Sequence, residues 1–147
     1  MDAESKDRYY MKLALGEARK AFNEGEVPIG AVVVAGDKVI ASAHNMTEAL
    51  TDVTAHAEML ALTAAQSVLG KYLGDATLYV TVEPCVMCAG AIGWARPGRV
   101  VYAAPEPRVG FTTAMARTPF HPKTTVTTGI CADEAMALMQ EFFRNRR

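Results

Sequence analysis

The stretch Leu78–Ala103, LYVTVEPCVMCAGAIGWARPGRVVYA, decides the architecture. Leu78-Tyr79-Val80-Thr81-Val82 is a short apolar run rich in β-branched and aromatic residues, which reads as a buried strand running into Glu83-Pro84. A helix from Cys85 to Ala95 starts directly after that proline, because a proline is tolerated at a helix start but not inside one. Arg99 to Ala103 then forms a second strand. Strands alternating with helices from residue 76 onward predict a partly parallel sheet covered on both faces.

Upstream of this unit, Tyr10, Leu13, Ala14, Ala18, Ala21 and Phe22 fall at helical spacing and predict a helix over Ser5–Asn23, ended by Gly25 and Pro28. Residues 29–35 and 39–43 flank Gly36-Asp37-Lys38 and read as an antiparallel hairpin. A loop over His44–Val53 leads to a helix over Thr54–Leu69, with Thr54 as its N-cap. Downstream, four of the seven prolines lie in Ala104–Lys123, which predicts a surface loop with at most one short helix. Thr124–Gly129 is the last expected strand. Asp133 is expected to cap a final helix whose apolar face is Ala135, Leu138, Met139 and Phe142.

With 147 residues, 50% hydrophobic and 21% charged, the composition excludes disordered, collagen-like and coiled-coil classes. No repeat or Gly/Ser linker interrupts it, so residues 1–147 read as a single domain. The longest apolar stretch, Ile29 to Gly36, is far short of the roughly 20 residues needed to span a bilayer, so no membrane partner is expected. The charged N-terminus is unlike a secretory signal, and a cytoplasmic location is expected. Three cysteines in such a chain favour metal binding or catalysis over a disulfide framework. The net charge of −1 conceals an asymmetry: residues 1–95 carry 7 basic and 12 acidic side chains, residues 96–147 carry 8 and 4. That basic C-terminal part permits an RNA partner.

Cys85 and Cys88 are three apart at a helix start, so both sulfurs face one side and the helix dipole favours thiolate. His56 and Glu58 are two apart and converge only near a helix start. One His and two Cys leave a tetrahedral Zn2+ one ligand short, the mark of a catalytic site. Zinc makes a hydroxide available near neutral pH, and a neighbouring carboxylate such as Glu58 moves protons. This chemistry suits hydrolytic deamination of an electron-poor amidine carbon. Three other readings compete: a redox Cys-x-x-Cys pair, which lacks a flanking tryptophan; a structural zinc closed by Cys131, His44 or His121; and a non-enzymatic binding module.

His56-Ala57-Glu58 with Pro84-Cys85-Val86-Met87-Cys88 resembles the H-x-E…P-C-x-x-C signature of the zinc-dependent cytidine and nucleobase deaminase superfamily. Val27–Val32, His44-Asn45, Thr54–Glu58, Val82–Ala91, Gly129–Glu134 and Phe142–Arg144 resemble, within it, the bacterial tRNA adenosine deaminases, over roughly residues 7–147. The resemblance implies a three-layer α/β/α fold and deamination of the wobble adenosine of a tRNA anticodon loop by a homodimer. It implies one zinc per subunit on His56, Cys85 and Cys88, an activated water and Glu58 as proton shuttle. Asn45 would bind the nucleoside, and Ile29, Ala57 and Pro84 would line the base pocket. Glu106-Pro107-Arg108 departs from the family's usual Asp…Lys-x-Gly-Ala run. Trp94-Ala95-Arg96 also resembles free-base deaminases such as guanine deaminase, so deamination of a free guanine- or cytosine-type base or nucleoside is the alternative. Arg108, Lys123, Arg144, Arg146 and Arg147 are candidate phosphate contacts, Phe143 a candidate base platform beside a core Phe142, and Glu106 a candidate substrate contact. Arg96 and Arg99 read as turn charges.

Overall fold

A computed structural model describes residues 1–146; Arg147, a candidate phosphate contact, lies outside the described residues. The chain runs α1 (Ala3–Asn23), β1 (Gly30–Ala35), β2 (Lys38–His44), α2 (Ala57–Leu69), β3 (Ala76–Val82), α3 (Val86–Ala95), β4 (Arg99–Ala104), α4 (Phe111–Ala114), β5 (Thr125–Thr128) and α5 (Ala132–Arg144). The strands form one mixed sheet in the order β2-β1-β3-β4-β5. β1 is antiparallel to β2 and β3, whereas β3, β4 and β5 are parallel. Both partners of β3 cover it, and most of its residues are buried, as its continuous apolar run requires.

The hairpin turn is two residues long. Gly36 (φ 57°) and Asp37 (φ 59°) both take the left-handed conformation that matches strand twist in a tight hairpin. Helices cover both faces: α2 and α3 pack with Val33, Leu78, Val80 and Val100, while α1 and α5 pack with Val32, Val34, Tyr79 and Val101. Among the described residues no helix is long and apolar enough to cross a membrane.

The buried face of α1 keeps the expected Tyr10, Ala14, Ala18 and Ala21, with Phe22 half-buried, and departs from the expectation at Leu13. Asp7, Met11, Ala14, Leu15, Ala18 and Ala21 are buried, and Leu13 is exposed, because at 100° per residue Leu13 cannot share a face with the 7-11-14-18-21 stripe. Two caps also differ. α2 is capped at His56, not Thr54, since Asp52 Oδ1 draws in both the amide and the hydroxyl of Thr54 in a tight turn at 2.8 Å. Cys131 (φ 60°), not Asp133, stands at the start of α5, with Asp133 inside the first turn where its charge favours the helix dipole. Each strand and helix expected from sequence is present, with ends shifted by one or two residues in most cases, and the proline-rich segment carries the short α4.

Candidate active site

Two helix starts meet at the carboxyl end of β3. His56 is the N-cap of α2 and Cys85 the N-cap of α3, both with extended backbone, and neither side chain is used to cap its own helix. Freed from capping, they point at each other. His56 Nδ1 lies 3.7 Å from Cys85 Sγ and 3.4 Å from Cys88 Sγ, and the donor atoms of all three lie within 4.8 Å of one another. Tetrahedral zinc, with Zn–S near 2.3 Å and Zn–N near 2.0 Å, sets donor-to-donor edges of roughly 3.5–3.8 Å. The two His–Cys spacings lie close to those edges, and the donor types and their clustering fit such an ion.

The Cys85 thiol is lowered to about 4, first by a hydrogen bond from Cys88 and, against the cost of burial, by the neighbouring imidazole; His56 is raised in turn, chiefly by its bond to Cys85. Cys88, which donates to Cys85 and is deeply buried, is pushed up. Glu58 follows His56 by two residues in the first turn of α2 and is buried, 3% exposed. Burial is the main reason its carboxyl rises to about 7, with the Cys85 charge adding to it. Its Oε1 is buried without a hydrogen-bond partner, an arrangement that costs stability unless a bound group completes it.

The surrounding wall contains the other expected residues. Asn45 is buried; its amide donates to Ile29 O at 3.2 Å, and its Oδ1 accepts the Ala57 amide at 2.8 Å. The Ala57 N–H is therefore committed to holding Asn45. Pro84 is buried, and its carbonyl accepts the Phe111 amide at 3.0 Å. Glu106, Arg108, Phe143 and Arg144 gather a little further on, in a cavity of about 590 Å3 between the loop after β4 and α5, lined also by Val82 and Met139. Phe142 is buried against Phe22, whereas Phe143 is 48% exposed and faces the cavity.

Several expectations need correcting. Lys123 lies at the opposite end of the sheet, beside Tyr72, Arg96 and His121, because it precedes β5. Arg99 is not a turn charge: it makes a two-pronged pair with buried Asp7, at 2.7 and 2.6 Å. The proposed closing ligands stand elsewhere, since His44 is held by Glu17 and Glu24 at 3.0 Å each, and Cys131 starts α5. Sequence reasoning missed two buried acids. Glu26 accepts the amides of Glu48 and Ala49 and so fixes the loop that follows Asn45. Glu83 does the same for the loop after β4. Glu83 adjoins the Pro-Cys motif, a signal that was available.

Comparison with known proteins agrees with this geometry. The model of the cytidine and deoxycytidylate deaminase zinc-binding region matches residues 4–104. A tRNA-specific adenosine deaminase of Bacillus subtilis is 42% identical over 148 residues, covering 97% of this chain and 92% of that protein. A chloroplastic tRNA(adenine(34)) deaminase of Arabidopsis thaliana is 41% identical over 95% of this chain, which spans only 12% of that longer protein. Among solved structures, one from a study of A-to-I editing by tRNA:A34 deaminases superposes with a TM-score of 0.82 at 42% identity, covering 88% of this chain and 98% of that one. A guanine deaminase of Bacillus subtilis gives 0.64 at 41% identity, covering 78% and 68%. With the family model covering the whole His56…Cys88 cluster and this level of identity to its members, the chain belongs to the cytidine and deoxycytidylate deaminase zinc-binding family.

Proposed function

We propose that this protein converts adenosine to inosine at the wobble position of a tRNA anticodon by zinc-dependent hydrolysis. The observation that carries the reading is the buried Glu58, with an unpartnered Oε1, beside the His56, Cys85 and Cys88 donors where two helix starts converge. His56, Cys85 and Cys88 hold the zinc. When bound there, zinc would supply an activated water, acidic enough to lose its proton near neutral pH.

Glu58 handles the protons. Its Oε1 accepts one from the water and returns it to the departing amino nitrogen, so that water adds at C6 of adenine and ammonia leaves. A carboxyl raised to about 7 suits both halves of that transfer at physiological pH. Asn45, whose Oδ1 is taken by Ala57, offers its Nδ2 hydrogens to the nucleoside, and Ile29 and Pro84 bound the base pocket. A base enters such a pocket only when unstacked, and an anticodon loop presents its bases already splayed. Arg108 and Arg144 are placed to meet backbone phosphates, and Phe143 offers a face to a neighbouring base.

Residues 1–147 act as one deaminase domain, working in the cytoplasm as a homodimer. A second reading, deamination of a free guanine-type base, is favoured by the 41% identity to a guanine deaminase and by the exposed Trp94. One experiment separates the two. Purified protein is incubated with an anticodon stem-loop carrying a wobble adenosine and, in parallel, with free adenine, adenosine, guanine and cytosine. Inosine in the RNA alone supports the tRNA reading, and ammonia from a free base alone refutes it.

A further inference from the structure

Glu83 sits between the last residue of β3 and the Pro84-Cys85 motif, 4% exposed, and the proton-transfer chemistry makes no use of it. Its three hydrogen bonds all come from the segment after β4, one from Glu106 in the loop and two from Thr112 in α4. Oε1 accepts the Glu106 amide at 3.1 Å; Oε2 accepts the Thr112 amide at 2.9 Å and the Thr112 hydroxyl at 2.6 Å. The same segment is tied to the motif once more, by an antiparallel bridge between Gly110 and Cys85 in which the Phe111 amide donates to Pro84 O at 3.0 Å. Gly110 passes so close that a Cβ there would collide with the Glu83 carboxyl and the Glu106 carbonyl, so this position admits only glycine. The Glu106 bond falls within Pro105 to Arg108, one wall of the cavity, and the Thr112 bonds anchor the chain just beyond it; the other wall is α5, with Met139, Phe143 and Arg144.

We propose that Glu83 is a positioning residue for substrate: it sets the cavity wall at Glu106–Arg108 and so fixes the site that receives a nucleotide flanking the target adenosine. The inference rests on the tRNA reading above and adds to it the group that shapes the flanking-nucleotide site. Glutamine at position 83 keeps an acceptor for one side of the loop but turns an NH2 donor against the other side, where an amide already donates. A lost bond there leaves a buried amide unmatched and lets the wall shift. Thr112→Val removes one of the three bonds without touching the motif.

The test uses full-length, zinc-loaded wild type, Glu83→Gln and Thr112→Val. Each is assayed on an anticodon stem-loop with a wobble adenosine, and on the same stem-loop with both flanking nucleotides made abasic. Zinc content and hydrogen exchange across residues 105–112 are measured alongside. On the intact stem-loop KM is expected to rise about tenfold in Glu83→Gln and about threefold in Thr112→Val, with kcat within about twofold of wild type. Zinc stays at one per chain, the Glu106 and Thr112 amides exchange faster, and on the abasic substrate the three proteins converge. An unchanged KM, a fall in kcat accompanied by zinc loss, or an equal rise on both substrates would overturn the proposal while leaving the tRNA reading in place. A wild type that converts no stem-loop overturns both.

Discussion

Two buried acids at opposite ends of the sheet face opposite fates. Asp7 and Glu58 are 4% and 3% exposed. Asp7 Oδ1 accepts from Tyr79 OH and Arg99, Oδ2 accepts from Arg99 again, and Arg99 also bonds Thr127 Oγ1. Burial alone would push Asp7 up, but these donors outweigh it and hold the carboxyl below its usual range. Glu58 is enclosed more deeply, lacks such donors and rises to about 7. A fully bonded acid stabilises the fold by joining α1 to the parallel strands; an acid left with a bare oxygen is available for chemistry.

Metal removal should separate the two ends most sharply. Dialysis against a chelator is expected to abolish turnover and lower the unfolding temperature, because three donors brought together for an ion then repel or share protons. Readdition of zinc should restore both, while the Asp7 end, followed by exchange of the Asp7 and Tyr79 amides, stays protected throughout. Next in size, Arg99→Ala leaves the Asp7 charge buried and uncompensated, at a cost of about 3 kcal/mol in a denaturant melt, with kcat unchanged.

How much of this was legible beforehand follows from sequence separation. The donors announce themselves because Cys85 and Cys88 lie one turn apart and His56 and Glu58 are near neighbours, so type and spacing suffice. The hairpin, the parallel unit and both helix layers also follow from local periodicity. Asp7 and Arg99 are 92 residues apart, and Glu83 meets its partners 23 and 29 residues on. Nothing local distinguishes Asp7 from a surface charge, and only its place beside Pro84-Cys85 marks Glu83. The shifted cap of α2 has a different cause: Thr54 is a good N-cap by type, but Asp52 claims it first, and His56 takes the position that frees its ring for the cluster.

Two smaller effects sharpen the contrast through pH. In metal-free protein the ionised Glu58 opposes folding, fully above about pH 7 and not at all below the ordinary glutamate range. Metal-free Glu58→Gln should therefore unfold at a higher temperature than wild type in mild alkali, with the difference closing as pH falls. His44 behaves in the reverse sense. Burial lowers its pKa, but bonds to Glu17 and Glu24 prevail and raise it, so its contribution is complete below the ordinary histidine value and lost as pH rises through the raised one. His44→Gln should lower the melting temperature most in mild acid and least in mild alkali, in a thermal scan from about pH 5.5 to about pH 9.

The central claim is that Glu58 performs proton transfer beside the zinc ligands and is not one of them. The direct measurement is inosine formation in an anticodon stem-loop by wild type and Glu58→Gln, each shown to carry one zinc per chain. The account predicts equal zinc and a fall in kcat of about 100- to 10,000-fold for the variant, the range expected for loss of a general acid and base. A variant that keeps its zinc and its rate would contradict it.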